Sequence, residues 1–258
     1  MNKKKIILSI AGSDNTSGAG VQADIKTCQL LGAFCLNVIT VITSQSSDKM
    51  NDMELVSLKL IKSKVFSIFN EYKVDAIKIG LLCDLKVAKF IKNFLIKKSI
   101  RCPLVIDPVF CSTTGKIFYK KDKYKNLFKI FSPLKPVFTP NYDEIKQLFN
   151  KKNKNDLVES NLKALYLKYK TPFVLTGIKK NKKEICDYLI QDNKISEFKS
   201  LLVKTKNTHG TGCVFSTSLS IHLAKGFSLE NSVKRSKKFL FESLKKSPNL
   251  GVSYGPLI

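Results

Sequence analysis

Arginine is nearly missing from this sequence. Only Arg101 and Arg235 occur among 45 basic residues, which face 20 acidic ones and leave a net charge of +25. Such a charge taken alone points to nucleic acid or an anionic membrane. The shortage of arginine counts against that reading, because the planar guanidinium makes bidentate contacts to phosphate and guanine that a lysine ammonium cannot. The lysines are also scattered from Lys3 to Lys246 and form no single stripe. The expectation is a solvated lysine coat with no specific nucleic-acid partner.

Histidine is scarce too, with only His209 and His222, and none of the seven cysteines (Cys28, Cys35, Cys83, Cys102, Cys111, Cys186, Cys213) stands in a C-x-x-C pair. This excludes the usual zinc-ligand spacings, and thiols in apolar runs read as small buried hydrophobes. No apolar stretch approaches the ~20 residues of a membrane span. No signal-peptide pattern follows Met1, since the short run Ile6–Ile10 leads straight into a glycine-rich loop. A cytoplasmic protein with no membrane partner is expected. No Gly/Ser/Pro linker and no internal repeat divides the chain, so residues 1–258 are expected to form a single domain.

What is present is an alternation of apolar runs and helix-period segments. Lys5–Ala11, Phe34–Ser44, Val74–Ile79, Leu104–Asp107, Val137–Thr139 and Phe173–Thr176 read as strands. Ile185–Gln191 and Lys194–Phe198 flank Asp192-Asn193, a hairpin signal. Helices are expected from Gly20 to Leu31, from Met53 to Tyr72 behind an Asp52 cap, and from Asp84 as cap to Lys98. Further helices are expected near Glu144–Phe149, Asp156–Tyr169, Gly212–Lys225 and Leu229–Lys246. Strands separated by helices predict an α/β fold with a mostly parallel central sheet and helices on both faces. Ligands in such sheets bind beyond the carboxyl ends of the strands, so the polar, glycine-rich segments after strands should converge.

Two such segments stand out. Ala11-Gly-Ser-Asp-Asn-Thr-Ser-Gly-Ala-Gly20 joins the first strand to a helix. It has neither G-x-x-x-x-G-K-S/T nor G-x-G-x-x-G spacing, and a tight strand–helix turn without a ligand would look similar. Lys204-Thr-Lys-Asn-Thr-His-Gly-Thr-Gly-Cys213 says more. Successive N–H groups from Gly210, Thr211, Gly212 and Cys213 at a helix start suit the equatorial oxygens of a phosphoryl group in transfer. Cys213 falls in the first turn, where a thiol pKa is lowered toward that of a general base. A glycine-rich cap with Cys213 packed inward is the other reading.

Asn141 and Glu144 share a helix face at i, i+3 and can reach a magnesium ion through water, although Asn141 alone reads as an N-cap. Asp107, at a strand end, is the second candidate carboxylate for that ion. Gln45 also ends a strand and carries donors and an acceptor that suit the edge of an aminopyrimidine, or is simply a surface residue.

Taken together, these pieces resemble one family. Ile10-Ala-Gly-Ser-Asp14, Ser17 through Thr27, Val38-Ile-Thr40, Ser44-Gln45, Lys78-Ile-Gly-Leu81, Asp107-Pro-Val109, Thr139-Pro-Asn141, Glu144 and Lys206 through Cys213 occur in the order seen in hydroxymethylpyrimidine/phosphomethylpyrimidine kinases, which are ribokinase-like enzymes. The resemblance covers nearly the whole chain. It implies a ribokinase-like fold, ATP and magnesium as cofactors, and a homodimer. It implies that Gly12, Ala19, Gln45 and Val109 line a pyrimidine pocket. Asn141, Glu144, Thr176, Thr208, Gly210 and Gly212 would serve nucleotide and metal, and Cys213 stands where ribokinases carry a catalytic aspartate. The alternatives are a pyridoxine or pyridoxal kinase on the same scaffold and an eroded kinase whose basic surface binds nucleic acid.

The sequence also departs from the family pattern. Ser112-Thr-Thr-Gly115 replaces Ala-Lys-Ser-Gly, Thr176-Gly-Ile-Lys179 replaces Lys-Gly-Gly-His, and Leu81 replaces a common methionine. Two phosphate-side lysines are therefore gone, and Lys179 or Lys180 is the replacement nearest in sequence.

Overall fold

The structure is a computed structural model that describes residues 3–112, 114–119, 121–149 and 158–258. Its strands are β1 (Ile6–Asp14), β2 (Phe34–Gln45), β3 (Met50–Leu55), β4 (Ala76–Ile79), β5 (Leu104–Ile106), β6 (Val137–Phe138), β7 (Phe173–Lys179), β8 (Glu184–Gln191) and β9 (Lys194–Leu201). They form one sheet in the order β3-β2-β1-β4-β5-β6-β7-β8-β9. The pairs from β2 through β7 are parallel, and β3, β8 and β9 add antiparallel edges. The helices are α1 (Gly20–Leu30), α2 (Leu58–Glu71), α3 (Leu85–Lys97), α4 (Lys121–Phe131), α5 (Tyr142–Phe149), α6 (Val158–Tyr169), α7 (Thr211–Ala224) and α8 (Leu229–Lys246).

The strands read as unbroken apolar runs because both faces of the sheet are covered. In β5, Leu104 and Ile106 pack with Ile91 and Phe94 of α3 and Phe128 of α4. Val105, pointing the other way, packs with Phe215 and Leu219 of α7 and Val233 of α8. Phe138 and Val137 of β6 divide between the same two clusters. A side-chain period of two thus feeds two cores, as the expected α/β layering requires. β1 lies between β2 and β4, both parallel to it, so the chain order reverses there and a crevice opens at the carboxyl ends.

Local chemistry sets several boundaries as expected. Asp84 caps α3 by accepting the Lys86 N–H at 2.8 Å. Asp192 and Asn193 take positive φ values of 50° and 62°, which a two-residue hairpin loop demands. The helix expected to begin behind Asp52 is a correction. Residues 50–55 instead form the edge strand β3, pairing Asp52 with Ser44 of β2. α2 starts only at Leu58, where Ser57 Oγ accepts the Leu60 N–H at 3.3 Å. The open edge of β2 offers backbone partners that outweigh a second possible cap. Leu55, which lies in the span expected to be helical, is half exposed on this strand. One helix lies where the pattern reading assigns none. α4 puts Tyr124, Leu127, Phe128 and Phe131 into the core at helical spacing. The expected start of α6 at Asp156 lies outside the described residues.

Candidate active site

β1 runs on past the expected loop start to Asp14, whose carboxylate then organises the turn into α1. Its Oδ1 accepts the Thr16 N–H and hydroxyl, both at 2.8 Å, and its Oδ2 accepts the N–H groups of Gly18 at 3.2 Å and Ala19 at 2.8 Å. Oδ2 also meets His209 Nε2 at 2.7 Å. Burial opposes the Asp14 charge, but the bonds to His209 and Thr16 outweigh it and hold the carboxyl below the usual carboxylate range. This pair joins the first glycine-rich loop to the last across 195 residues of sequence. Two glycines are required here. Gly20 has φ of +60°, and a Cβ there would sit 2.3 Å from Gly12 O. Gly210 has φ of +86°, and its Cβ would sit 1.9 Å from Gly18 O.

Gly210 is the N-cap of α7 and makes no side-chain cap bond. The Thr211 N–H turns back to the Thr208 carbonyl at 3.4 Å, and the helix presents its other first amides and positive dipole end to whatever lies in front of it. In front lies a cavity of about 440 Å³ lined by Thr208, Gly210, Thr211, Gly212 and Cys213. Gly12, Ala19, Gln45 and Val109, the expected pyrimidine-side residues, line the same cavity, as do Asp107, Asn141 and Glu144. Thr176 does not. It lines a second cavity of about 630 Å³ with Lys179, Lys180, Lys146 and Tyr188. The two cavities share Asn141 and Asp143. Both candidate replacement lysines thus sit beside Thr176, and Lys180 also pairs with Glu197 at 3.4 Å.

Asn141 and Glu144 form a reciprocal cap for α5. Asn141 Oδ1 accepts the Glu144 N–H at 2.9 Å and Glu144 Oε2 accepts the Asn141 N–H at 2.8 Å. Glu144 Oε1 accepts the Phe110 N–H at 3.0 Å. Asn141 is thus the N-cap that one reading expects, and it stands at the cavity wall. Burial pushes the Glu144 carboxyl up, and the nearby charge of Asp107 adds to this. Burial likewise raises Asp107. Two buried carboxyls that resist ionising together suit a divalent cation, and each Glu144 oxygen keeps a lone pair for water. Among the described residues no group of three or more His, Cys, Asp or Glu side chains is arranged to hold a metal directly. Magnesium held through water, with substrate phosphates as further ligands, fits this donor set.

The expectation of a lowered thiol pKa at Cys213 is corrected. Burial pushes the thiol up to about 12, and Asp24 and Asp107 add to this against the opposing pull of Lys78. The helix start alone does not decide the matter, because carboxylates from α1 and β5 face the same sulfur. Motif reading also missed what lies beneath the cavity. Lys78 of β4 and Asp24 of α1 are fully buried and paired at 2.8 Å. Both stand inside quoted motifs, and a lysine and an aspartate at otherwise apolar positions were the available signal.

A parallel sheet covered on both faces, with an uncapped helix start facing a carboxylate pair at its carboxyl edge, defines a small-molecule kinase of the ribokinase-like class. Comparison with known proteins narrows this. The family profile described as phosphomethylpyrimidine kinase matches residues 14–258, and the chain belongs to that family. The hydroxymethylpyrimidine/phosphomethylpyrimidine kinase of Haemophilus influenzae is 32% identical over 261 residues, covering 99% of this chain and 97% of the relative. Among solved structures, phosphomethylpyrimidine kinase from Clostridium difficile is 28% identical with a TM-score of 0.77, covering 93% of this chain and 99% of that one. Pyridoxal kinase from Bacillus subtilis, solved as an ADP complex, is 27% identical with a TM-score of 0.84, covering 98% and 96%.

Proposed function

We propose that this chain transfers the γ-phosphoryl group of ATP to 4-amino-5-hydroxymethyl-2-methylpyrimidine and then to the resulting monophosphate, within thiamine diphosphate synthesis. The observation that carries the reading is the meeting of Gly210–Cys213 with Gly12, Ala19, Gln45 and Val109 around one cavity. Gln45 reads the ring edge, and the backbone at Gly12 lets the ring approach the sheet. ATP occupies the adjoining cavity, with Thr176, Lys179 and Lys180 on its phosphate side and Asn141 at the junction. Glu144 and Asp107 would hold magnesium through water, and the ion would supply neutralisation of the phosphate charge.

As the acceptor oxygen bonds phosphorus, the bridging bond to ADP breaks, ADP leaves with its electron pair, and the proton of the alcohol acceptor passes to solvent water. Amides of Gly210, Gly212 and Cys213 hold the equatorial oxygens in flight, and Thr208 braces the turn before them. One kinase domain spans residues 1–258 and works as a homodimer in the cytoplasm. The seven free cysteines suit a reducing compartment. Among the described residues no helix is long and apolar enough to cross a membrane.

A second reading, phosphorylation of pyridoxal, is favoured by the likeness to the Bacillus subtilis pyridoxal kinase. Incubation with ATP, magnesium and either compound, followed by mass spectrometry, separates the two. Mono- and then diphosphate from the pyrimidine supports the first reading. Product from pyridoxal alone moves the assignment to the second, and product from neither removes both.

A further inference from the structure

Lys78 is wholly buried in β4, and its Nζ donates to both oxygens of Asp24 at 2.9 and 2.8 Å. Asp24 Oδ2 also accepts Ser9 Oγ of β1 at 2.5 Å, and Oδ1 accepts Thr217 Oγ1 of α7 at 2.7 Å. One carboxylate thus ties together β1, α1, β4 and α7, the elements whose ends bring Gly12, Ala19, Leu81 and Gly210–Cys213 to the cavity. Stability does not require such a pair, since well-packed apolar residues commonly replace a buried ion pair at no cost. The preceding residue on α7, Ser216, donates to Asp107 Oδ2 at 3.3 Å. A Cβ on Gly212 would lie 3.2 Å from the same oxygen. The first two turns of α7 are therefore held by Asp24 on one side and Asp107 on the other.

We propose that Lys78 and Asp24 are positioning residues for phosphoryl transfer, fixing the start of α7 against the substrate pocket through Thr217 and holding a buried ion pair in one orientation beneath it. The inference rests on the kinase reading given above. Burial opposes the Lys78 ammonium, but the Asp24 carboxylate, with Asp107 adding to it, outweighs burial and holds its pKa above the ordinary range, so the charge persists at neutral pH. A field fixed by the fold costs nothing to reorient when the phosphoryl group moves. Small displacements of such groups are expensive, with about 100-fold lost for roughly 1 Å.

The test is a steady-state comparison of wild type with two variants, using hydroxymethylpyrimidine, pyridoxal, ATP and magnesium. The double variant Lys78→Met with Asp24→Asn removes both charges together and leaves none buried alone. It is expected to lose about 10- to 100-fold in kcat with KM for the acceptor within about twofold. Thr217→Val cuts only the tie to α7. It is expected to lose about 3- to 10-fold in kcat at unchanged KM, with Thr217→Ser restoring the rate. Wild-type kcat in Thr217→Val overturns the proposal, whether or not the double variant folds, and so does wild-type kcat in a folded double variant. A wild-type enzyme that turns over neither acceptor removes the functional reading and this one with it. An active wild type with unaffected variants removes only this one.

Discussion

Cys213 stands in the first turn of α7 and lines the cavity, yet its thiol is held at about 12, where it keeps its proton at neutral pH. A general base would have to give that proton up before the alcohol reacts. The two acceptors make the question measurable. The alcohol carries a proton, whereas the monoester, with a second pKa near ~6, is already largely dianionic. Removing a true base slows a reaction by about 10²- to 10⁴-fold, and only for the acceptor that needs one. Cys213→Ala is therefore expected to slow both phosphorylations by a similar factor, on the order of 10-fold or less, as single-turnover rates would show. Collapse of the alcohol reaction alone would mean that the loaded site generates a thiolate. Single residues differ in how far sequence reveals them. Gly210–Cys213 are legible because spacing before a helix fixes where they end up, whereas Gly12 and Gln45 are assigned to the cavity by the family resemblance. The thiol pKa is not legible, since burial raises it and Lys78, Asp24 and Asp107 act on it from distant parts of the chain. The Asp14–His209 pair is hidden for the same reason.

Helices and strands are legible where their own chemistry decides them and obscure where a neighbour does. Asp84 and the Asp192-Asn193 turn hold because each satisfies its own backbone. Met50–Leu55 becomes a strand because the edge of β2 is there to pair with it. The contact between α7 and α8 shows how an element pair can carry a cost. Ser218 Oγ and His222 Nδ1 of α7 and Ser236 Oγ of α8 are buried without hydrogen-bond partners among the described residues. His222 packs edge-on against Phe227, whose other contact is the Arg235 guanidinium at 4.1 Å. Burial, with Lys225 and Arg235 adding to it, lowers the His222 pKa from 6.5 to about 4. The unfolded chain therefore binds a proton that the folded one refuses between those values. Stability is full above the unfolded pKa and falls as pH drops toward 4, by on the order of 2–3 kcal/mol. Melting temperatures from pH 7 to 4 should show this loss, and His222→Leu should flatten it. An unchanged pH dependence in that variant would place the acid sensitivity elsewhere.

At the scale of the whole molecule, the net charge of +25 needs an explanation that the pockets do not supply. The lysines behave as a coat. Lys62, Lys146, Lys168, Lys180 and Lys245 lay their ammonium groups over aromatic rings, contacts worth about 0.5–1 kcal/mol at exposed sites. Exposed or partly exposed carboxylates answer few of them, in the pairs Lys5–Asp75, Lys146–Asp143, Lys180–Glu197 and Lys199–Glu197. A folded surface of this kind works against itself, because folding draws like charges together and their repulsion is relieved by unfolding. Added salt should then stabilise the protein, since the screening length falls from ~30 Å at 0.01 M to ~8 Å at 0.15 M. The fully buried Lys78–Asp24 pair and the nearly buried Lys237–Asp187 pair are shielded from that change. The expected outcome is a melting temperature that rises by about 3–6 °C between those two sodium chloride concentrations, equivalent to roughly 1–2 kcal/mol for a domain of this size. Sodium chloride is the salt to use, because sulfate and phosphate strengthen burial by exclusion and would raise the melting point for a different reason. A melting temperature that stays level or falls over this range would mean that the local pairs and cation–ring contacts already offset the excess charge, and that the coat carries no standing repulsion.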